Sequence, residues 1–270
     1  MSDTGLLHTL VDDLRAFSGG LDRVLTNERD FQVRLAIYLH NLLQEPHGHY
    51  DFVEVEYAIP ITELGYCKKS RKKSEVADVQ VIPKHFPWAN DIYADIVVGK
   101  NGKYAIVELK YATRIFDKSL HTSTRFGQKT ETDIIKTQGA RDIVMYNYCK
   151  DIRRIEHLSE KYENLEGGVA LLITNNHLYW NRPKSEEVAY RMFSTHEGNV
   201  VNRVEWKEKF SPTVVSSHPG FTMTGTYVFR WNDTLWDKTG GDVKKEKAGC
   251  KFRYLLTVVN QRNNFKTINN

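Results

Sequence analysis

The stretch ADIVVGKNGKYAIVELK, running from Ala94 to Lys110, constrains the fold more than any other. Two apolar runs flank Gly-Lys-Asn-Gly at 99–102, and a tight Asn-Gly turn between such runs is a strong local signal for a β-hairpin. The pattern predicts strands over about Tyr93–Val98 and Tyr104–Tyr111. Three charged residues, Asp95, Glu108 and Lys110, interrupt this otherwise apolar hairpin. Burying a charge without a partner is costly, so their presence needs a compensating group. Side chains alternate faces along a strand, so Glu108 and Lys110 share a face with Ile106, while Ala105, Val107 and Leu109 take the other. The turn at 99–102 then places Asp95 roughly opposite Glu108 or Lys110.

Around this hairpin the chain reads as an α/β protein. Leu6, Leu7, Leu10, Leu14 and Phe17 predict a first helix over 6–17, ended by Ser-Gly-Gly. A second begins near Asn27, a good N-cap, and carries the stripe Phe31, Leu35, Leu39 and Leu42. DFVEVEYAIPI alternates Phe52, Glu54 and Glu56 against Val53, Val55 and Tyr57, the pattern of a strand with one covered face. After the hairpin come a polar stretch, 112–130, and a long helix from about Thr132 to Leu158, striped by Ile134, Gln138, Met145, Ile152 and Ile155. EGGVALLIT follows as a buried strand. Beyond Asn175, VAYRMFS, VVNRVEW, GTYVFRW and FRYLLTVVN read as strands separated by loops such as SSHPGFTMTG, and the last is placed to join the main sheet. No linker-like segment marks a boundary, so the expectation is one domain over 1–270, with a core at about 22–175 and a β-rich extension at about 176–270 packed on it.

Composition bounds the function. The 270 residues are 40% hydrophobic, enough for a packed core, and the net charge of +4 permits a polyanionic partner without demanding one. Three dispersed cysteines and no CxxC indicate neither a disulfide framework nor a zinc site. With no signal-peptide pattern and no apolar run long enough to span a bilayer, a cytoplasmic protein without a membrane partner is expected. No Gly-rich phosphate loop is present, which argues against a nucleotide-binding enzyme. Of the ten histidines, His47 and His49 flank a glycine in a loop, where they are expected to be solvated rather than metal ligands, and no HxxxH is present.

Two carboxylates and an ammonium at one sheet edge suit Mg²⁺, which takes oxygen ligands, often one or two carboxylates with waters and substrate phosphates. A lysine beside it can orient a water or offset charge growing on a phosphate. Hydrolysis of a phosphodiester uses these pieces. The other explanation of Asp95, Glu108 and Lys110 is a partly buried structural ion pair.

An aspartate, a turn, then Glu-x-Lys on the next strand resembles the PD-(D/E)xK nuclease superfamily, the restriction-endonuclease-like fold. The matching residues are Asp95 and Glu108-Leu109-Lys110. The order helix, three strands, helix, strand over about 27–174 also resembles that core, a mixed sheet flanked by helices. Ala94 stands where the motif has its proline. Two other acid-x-lysine triplets, Glu205/Lys207 and Asp242/Lys244, lack an aspartate-bearing hairpin partner.

The resemblance implies a Mg²⁺-dependent nuclease, with Mn²⁺ able to substitute, acting on nucleic acid and most readily on DNA. Asp95 and Glu108 would bind the metal, with the Leu109 carbonyl as a further ligand, and Lys110 would position or activate the attacking water. Glu28, at the head of the second helix, matches the family's helix glutamate that supports the metal. Its other explanation is the ordinary preference of acids for a first helical turn. Gln138 matches the glutamine some members carry on the helix after the third strand. KKSRKK supplies Lys68, Lys69, Arg71, Lys72 and Lys73 as phosphate contacts, with Arg114, Arg125 and Lys129 as further candidates; a solvated loop explains the same charges. A homodimer is compatible with double-strand cutting. The competing expectation is a catalytically inactive protein of the same fold, serving as a nucleic-acid-binding or protein-interaction module. Trp180, Trp206, Trp231 and Trp236 are expected to pack in the core rather than stack on bases.

Overall fold

The structure, a computed structural model, describes residues 5–21, 25–43, 48–64, 91–114, 140–207, 211–235 and 251–260, and the backbone alone of 66–67, 80–81, 123–125 and 128–130. In chain order its elements are α1 (Leu6–Gly19), α2 (Glu28–Asn41), β1 (Phe52–Ile59), β2 (Tyr66–Cys67), β3 (Gln80–Val81), β4 (Ile92–Lys100), β5 (Lys103–Ala112), β6 (Ser123–Arg125) and β7 (Gln128–Thr130). There follow α3 (Arg141–Lys161), β8 (Leu165–Thr174), a 3₁₀ turn at Arg191–Phe193, β9 (Val200–Val204), α4 (Pro212–Ser217), β10 (Phe221–Val228), β11 (Trp231–Asp233) and β12 (Arg253–Asn260).

Local chemistry explains the elements that frame the hairpin. Asn27 caps α2, its side chain accepting the Asp30 N–H at 2.8 Å. Asn101 and Gly102 both have positive φ, 52° and 70°, as a two-residue turn of the type favoured between twisted strands requires. Helix α3 begins at Arg141 rather than near Thr132 because Ala140 sits at φ 55°, in the left-handed region, and ends the regular helix there. Ile134 and Gln138 lie outside the described residues.

Six strands form one mixed sheet in the order β1-β4-β5-β8-β12-β11. Only β5 and β8 run parallel, joined by the crossover that contains α3; the other neighbours are antiparallel. At Gly168 a Cβ would stand 2.4 Å from the Ile106 carbonyl, so a glycine is needed where β8 meets β5. One face of the sheet packs on α1 and α2 through Leu10, Leu14, Phe31, Leu35, Val107, Leu109, Val169 and Leu171. The other packs on α3 and the C-terminal segments through Ile106, Met145, Ile152, Ile155, Leu172, Phe193 and Trp231. The fold is thus α/β, a mixed six-stranded sheet between helices.

Several expectations change. β1 is an edge strand, and Val55 and Tyr57 remain 50% and 43% exposed, so neither face is continuously covered. VAYRMFS folds as the 3₁₀ turn, because Tyr190 and Phe193 are buried from an irregular segment instead of a ladder. GTYVFRW divides between β10 and β11, the 112–130 stretch contains the β6–β7 ribbon, and SSHPGFTMTG holds the end of α4 and the start of β10. β12 does join the main sheet, pairing along β8 from Arg253↔Thr174 to Asn260↔Gly167. Trp180, Trp206 and Trp231 are buried as core packing predicts, the last two donating their ring N–H to the His218 and Thr195 carbonyls, both at 2.7 Å; Trp236 lies outside the described residues. Among the described residues no helix is long and apolar enough to cross a membrane.

Candidate functional site

The hairpin ladder stops where its charges begin. Pairing between β4 and β5 runs from Lys100↔Lys103 to Ile96↔Val107. One more step would set Asp95 against Glu108, but the ladder ends first. On the other side of β4, the β1 pairing passes from Val55↔Ile96 to Tyr57↔Ala94 and omits Glu56, which would oppose Asp95. Glu56 adopts φ 52°, a conformation that a non-glycine residue takes at a cost of about 1–3 kcal/mol. The side-chain alternation of β4 also changes here. Ile96 and Val98 pack toward α1 and α2, whereas Ala94 and Ile92, in step with them by alternation, join Val97 on the α3 side.

Side chains fill the gaps this break leaves. Gln32, on α2, donates through Nε2 to the Asp95 carbonyl and to Glu56 Oε1, each at 3.0 Å. The β5 N–H groups that no longer meet β4 carbonyls meet carboxylates instead: Leu109 donates to Asp95 Oδ2 at 2.6 Å, and Tyr111 donates to Glu28 Oε2 at 3.0 Å. Two acids from two elements therefore serve the same edge of β5, two residues apart. Glu28 heads α2, and Gln32 follows one helical turn later, so both reach the break from one side of that helix.

The α3-facing side of β5 carries the other charges. Glu108 is 1% exposed, and its Oε2 receives Arg154 at 2.9 Å. Its Oε1 is buried and finds no hydrogen-bond partner among the described residues. Lys110 Nζ lies 2.8 Å from Asp151 Oδ2 and donates to its neighbour's carbonyl, Leu109 O, at 2.8 Å. Arg154 also stands 3.7 Å from Asp151 Oδ1 and reaches the Tyr93 carbonyl at 3.3 Å. A quartet of alternating charge results: Glu108, Arg154, Asp151, Lys110.

Its electrostatics are strained toward positive charge. Burial lifts the Asp95 carboxyl to about 6, against the opposing pull of Lys110 and the Leu109 N–H, with Asp151 and Glu28 adding to the rise. Burial lifts Glu108 to about 8; Arg154 opposes it, and Asp151 and Asp95 reinforce it. For Lys110 burial alone would lower the value, but Asp151, Glu28, Asp95 and Glu108 together hold it above the ordinary lysine range. The Lys110 ammonium is therefore firmly protonated at neutral pH. Lys150, next to Asp151, goes the other way, lowered by burial and by Arg154.

The residues marked in the sequence divide as follows. Asp95, Glu108, Lys110, the Leu109 carbonyl and Glu28 come together at this break. Arg114 lies just past β5, exposed, its backbone clamped by the Asn175 side chain, which accepts the Arg114 N–H at 2.7 Å and donates to the Arg114 carbonyl at 3.0 Å. Gln138, Lys68, Lys69, Arg71, Lys72 and Lys73 lie outside the described residues, and Arg125 and Lys129 are described only in backbone, on β6 and β7. Gln32, Glu56, Asp151 and Arg154 went unmarked. The available signal was the Glu28/Gln32 spacing on one helix side and two charges, Asp151 and Arg154, adjacent in sequence to the buried Ile152 and Ile155 of α3.

Among the described residues no group of three or more His, Cys, Asp or Glu side chains forms a ready-made metal cage. The donor set still fits Mg²⁺ in kind: oxygen donors only, with the buried Glu108 Oε1 unsatisfied and the Asp95 carboxyl lifted mainly by burial, with Asp151 and Glu28 adding to the rise. No family model, no curated protein and no solved structure matches the chain.

Proposed function

We propose that this chain is a Mg²⁺-dependent nuclease of the restriction-endonuclease-like fold, acting on DNA in the cytoplasm. The observation that carries the reading is the broken ladder at Asp95. It sets Asp95, Glu108 and Lys110 on diverging strands, with an unsatisfied carboxylate oxygen buried beside a charged lysine. The order α2, β1, β4, β5, α3, β8 supports the fold assignment.

Asp95 and Glu108 would hold the ion, with the Leu109 carbonyl as a further donor and Glu28 close behind. When bound, Mg²⁺ supplies Lewis-acid polarisation of the phosphoryl oxygen and a more acidic water, and Mn²⁺ would supply the same. The protein's own groups do the rest. Lys110, kept protonated by its carboxylate neighbours, serves as a cation that orients the attacking water and offsets negative charge on the phosphate. Asp95 and Glu28 fix the edge of β5 by holding the Leu109 and Tyr111 N–H groups. The basic residues at 68–73 would contact the DNA backbone, and two copies of the chain would present two sites for double-strand cutting.

Plasmid, linear duplex and single-stranded DNA, each incubated with Mg²⁺ or Mn²⁺, provide the test. Lys110→Ala and Glu108→Gln are each expected to slow cleavage about 100-fold or more. Cleavage by Lys110→Ala at the parent rate overturns the assignment.

One observation favours a second reading. Glu108 with Arg154, and Lys110 with Asp151, form a closed charge network, as suits a nuclease-fold module that binds nucleic acid or protein without cutting. Salt-sensitive DNA binding with no cleavage under any divalent metal decides for it.

A further inference from the structure

Past the last turn of α3, the sheet carries a cavity of about 370 Å³ that contains none of Asp95, Glu108 and Lys110. Its volume falls within the range of small-molecule clefts. Ile59 of β1, Val97 of β4, Ile106 of β5 and Leu165 of β8 give it an apolar lining, and all four are buried. Three tyrosines border it from three elements: Tyr57 on β1, Tyr104 on β5 and Tyr162 just after α3. Tyr57 and Tyr104 are 43% and 38% exposed, so both rings offer surface that the protein does not fill.

The walls are held in place. The Tyr104 N–H donates to the Asn164 carbonyl at 2.9 Å, and its ring leans on Phe52, with centroids 5.8 Å apart. Phe52 lies close over Gly99, where a Cβ would stand 2.2 Å from its ring. The Tyr162 hydroxyl donates to Glu63 Oε2 at 3.1 Å, and Glu63 sits in the turn after β1, its N–H bonded to the Pro60 carbonyl at 3.0 Å. Burial, then Glu63, then Tyr57 lift the Tyr162 hydroxyl to about 12, so the two tyrosines and the glutamate share one neighbourhood.

Charge narrows the choice of occupant. Glu63 and Glu163 line the cavity against a single ammonium, that of Lys161. One negative charge is left over, and the C-terminal end of α3 adds about half of another. A hard metal ion needs several oxygens in place of its waters, and the aliphatic and aromatic lining does not offer them. A nucleobase could stack on tyrosine, but its phosphates would meet Glu63, Glu163 and the negative helix end. A methylated ammonium gains from every wall: its methyl groups bury against Val97 and Ile106, while its charge is drawn to tyrosine faces and to the carboxylates.

We propose that this cavity binds a small molecule carrying a quaternary ammonium group, with Tyr57, Tyr104 and Tyr162 as its aromatic cage and Glu63 as the paired carboxylate. The inference stands apart from the nuclease reading, since such binding needs neither a metal nor turnover.

Choline is the probe, titrated into the full-length chain and followed by saturation transfer to its N-methyl protons. A Kd below about 10 mM is expected, with the neutral isostere dimethylbutanol, in which carbon replaces nitrogen, at least about 10-fold weaker. Tyr57→Leu, which keeps an apolar side chain, should weaken choline about 5-fold or more. Glu63→Gln, which keeps an acceptor for the Tyr162 hydroxyl, should weaken it about 3-fold. Equal binding of choline and its isostere, tighter binding of adenosine or thymidine, no binding of choline up to about 10 mM, or parent affinity in a folded Tyr57→Leu each overturns the inference. Should Tyr57→Leu fail to fold, the isostere comparison on the parent and the affinity of Glu63→Gln decide, and an unchanged Glu63→Gln refutes it.

Discussion

Asp95→Asn should make the metal-free protein more stable while destroying its proposed chemistry. Asparagine keeps the shape of the side chain and an oxygen able to accept the Leu109 N–H, which Asp95 Oδ2 now takes at 2.6 Å. What it removes is a carboxylate whose charge the fold resists. Burial, Asp151 and Glu28 raise the Asp95 carboxyl from 3.8 to about 6, more than Lys110 and the Leu109 N–H can offset. A carboxyl with a higher value in the folded state than in the unfolded state favours folding when protonated. The stability it contributes is complete below 3.8 and is lost as pH rises through 6. The gap corresponds to about 3 kcal/mol at pH 7.5 and about 1 kcal/mol at pH 4.5. Asp95 is only partly buried, and solvent screening roughly halves both figures. Urea unfolding in EDTA at the two pH values should therefore show Asp95→Asn more stable by about 1.5 kcal/mol at pH 7.5 and by about 0.5 kcal/mol at pH 4.5. Saturating Mn²⁺ should reverse the order, since a ligand at 100 times its Kd stabilises the parent by about 2.7 kcal/mol and a variant with a weakened site by less. A variant no more stable than the parent in EDTA at pH 7.5, or an advantage that does not shrink on acidification, would refute the reasoning.

Gln32→Ala should lower stability by about 1–3 kcal/mol in urea and weaken cleavage, because the Asp95 carbonyl and Glu56 lose a shared donor; a loss below about 0.5 kcal/mol contradicts the role assigned to Gln32. His157, lowered to about 4 by burial and by Arg153, takes up a proton in the unfolded chain before it does in the folded one. Stability should thus fall as pH drops from 6.5 toward 4, by about 1–2 kcal/mol after screening, and His157→Gln should flatten that part of the urea profile. Gly102→Ala, with open space around the new methyl group but a φ of 70°, should cost about 1 kcal/mol from backbone strain alone, read as a shift in the thermal midpoint.

The elements most legible in the sequence were those whose signals are local. Asn101-Gly102 announced the hairpin, Asn27 the start of α2, and the Phe31, Leu35 and Leu39 stripe the side of α2 that is buried. The exposed edge position of β1 was hidden, because alternation reports a pleat and says nothing about which neighbours cover it. The start of α3 was hidden for a different reason: the apolar period runs on past Ala140, and only its left-handed backbone ends the helix. The C-terminal strands were harder still. Tyr190, Phe193 and Trp206 are apolar enough for a ladder, yet they are buried from loops and turns, Phe193 and Trp206 against the Tyr146 ring.

At the site, the legible residues and the hidden ones differ by sequence distance. Asp95, Glu108 and Lys110 lie on one hairpin, so turn geometry alone brings them near each other. Arg154 and Asp151 meet Glu108 and Lys110 only because the β5–α3–β8 crossover returns α3 across the sheet. A charge on a helix looks the same in sequence whether solvent or a buried glutamate awaits it. Gln32 and Glu56 were hidden by the strand pattern itself: strict alternation assumes an unbroken ladder, and both residues matter only where the ladder breaks. The break and the surplus of negative charge coincide at Asp95. An intact β4–β5 pairing would have given Leu109 and Tyr111 carbonyl partners and left their two carboxylates without a task. With the pairing broken, those carboxylates are drawn to the β5 edge by its N–H groups, and their charge accumulates where Glu108 Oε1 is already unsatisfied. The break in the ladder and the proposed demand for a cation are then one feature, and Gln32→Ala, which removes the donor to the Asp95 carbonyl, is expected to weaken Mn²⁺ binding without removing a proposed ligand.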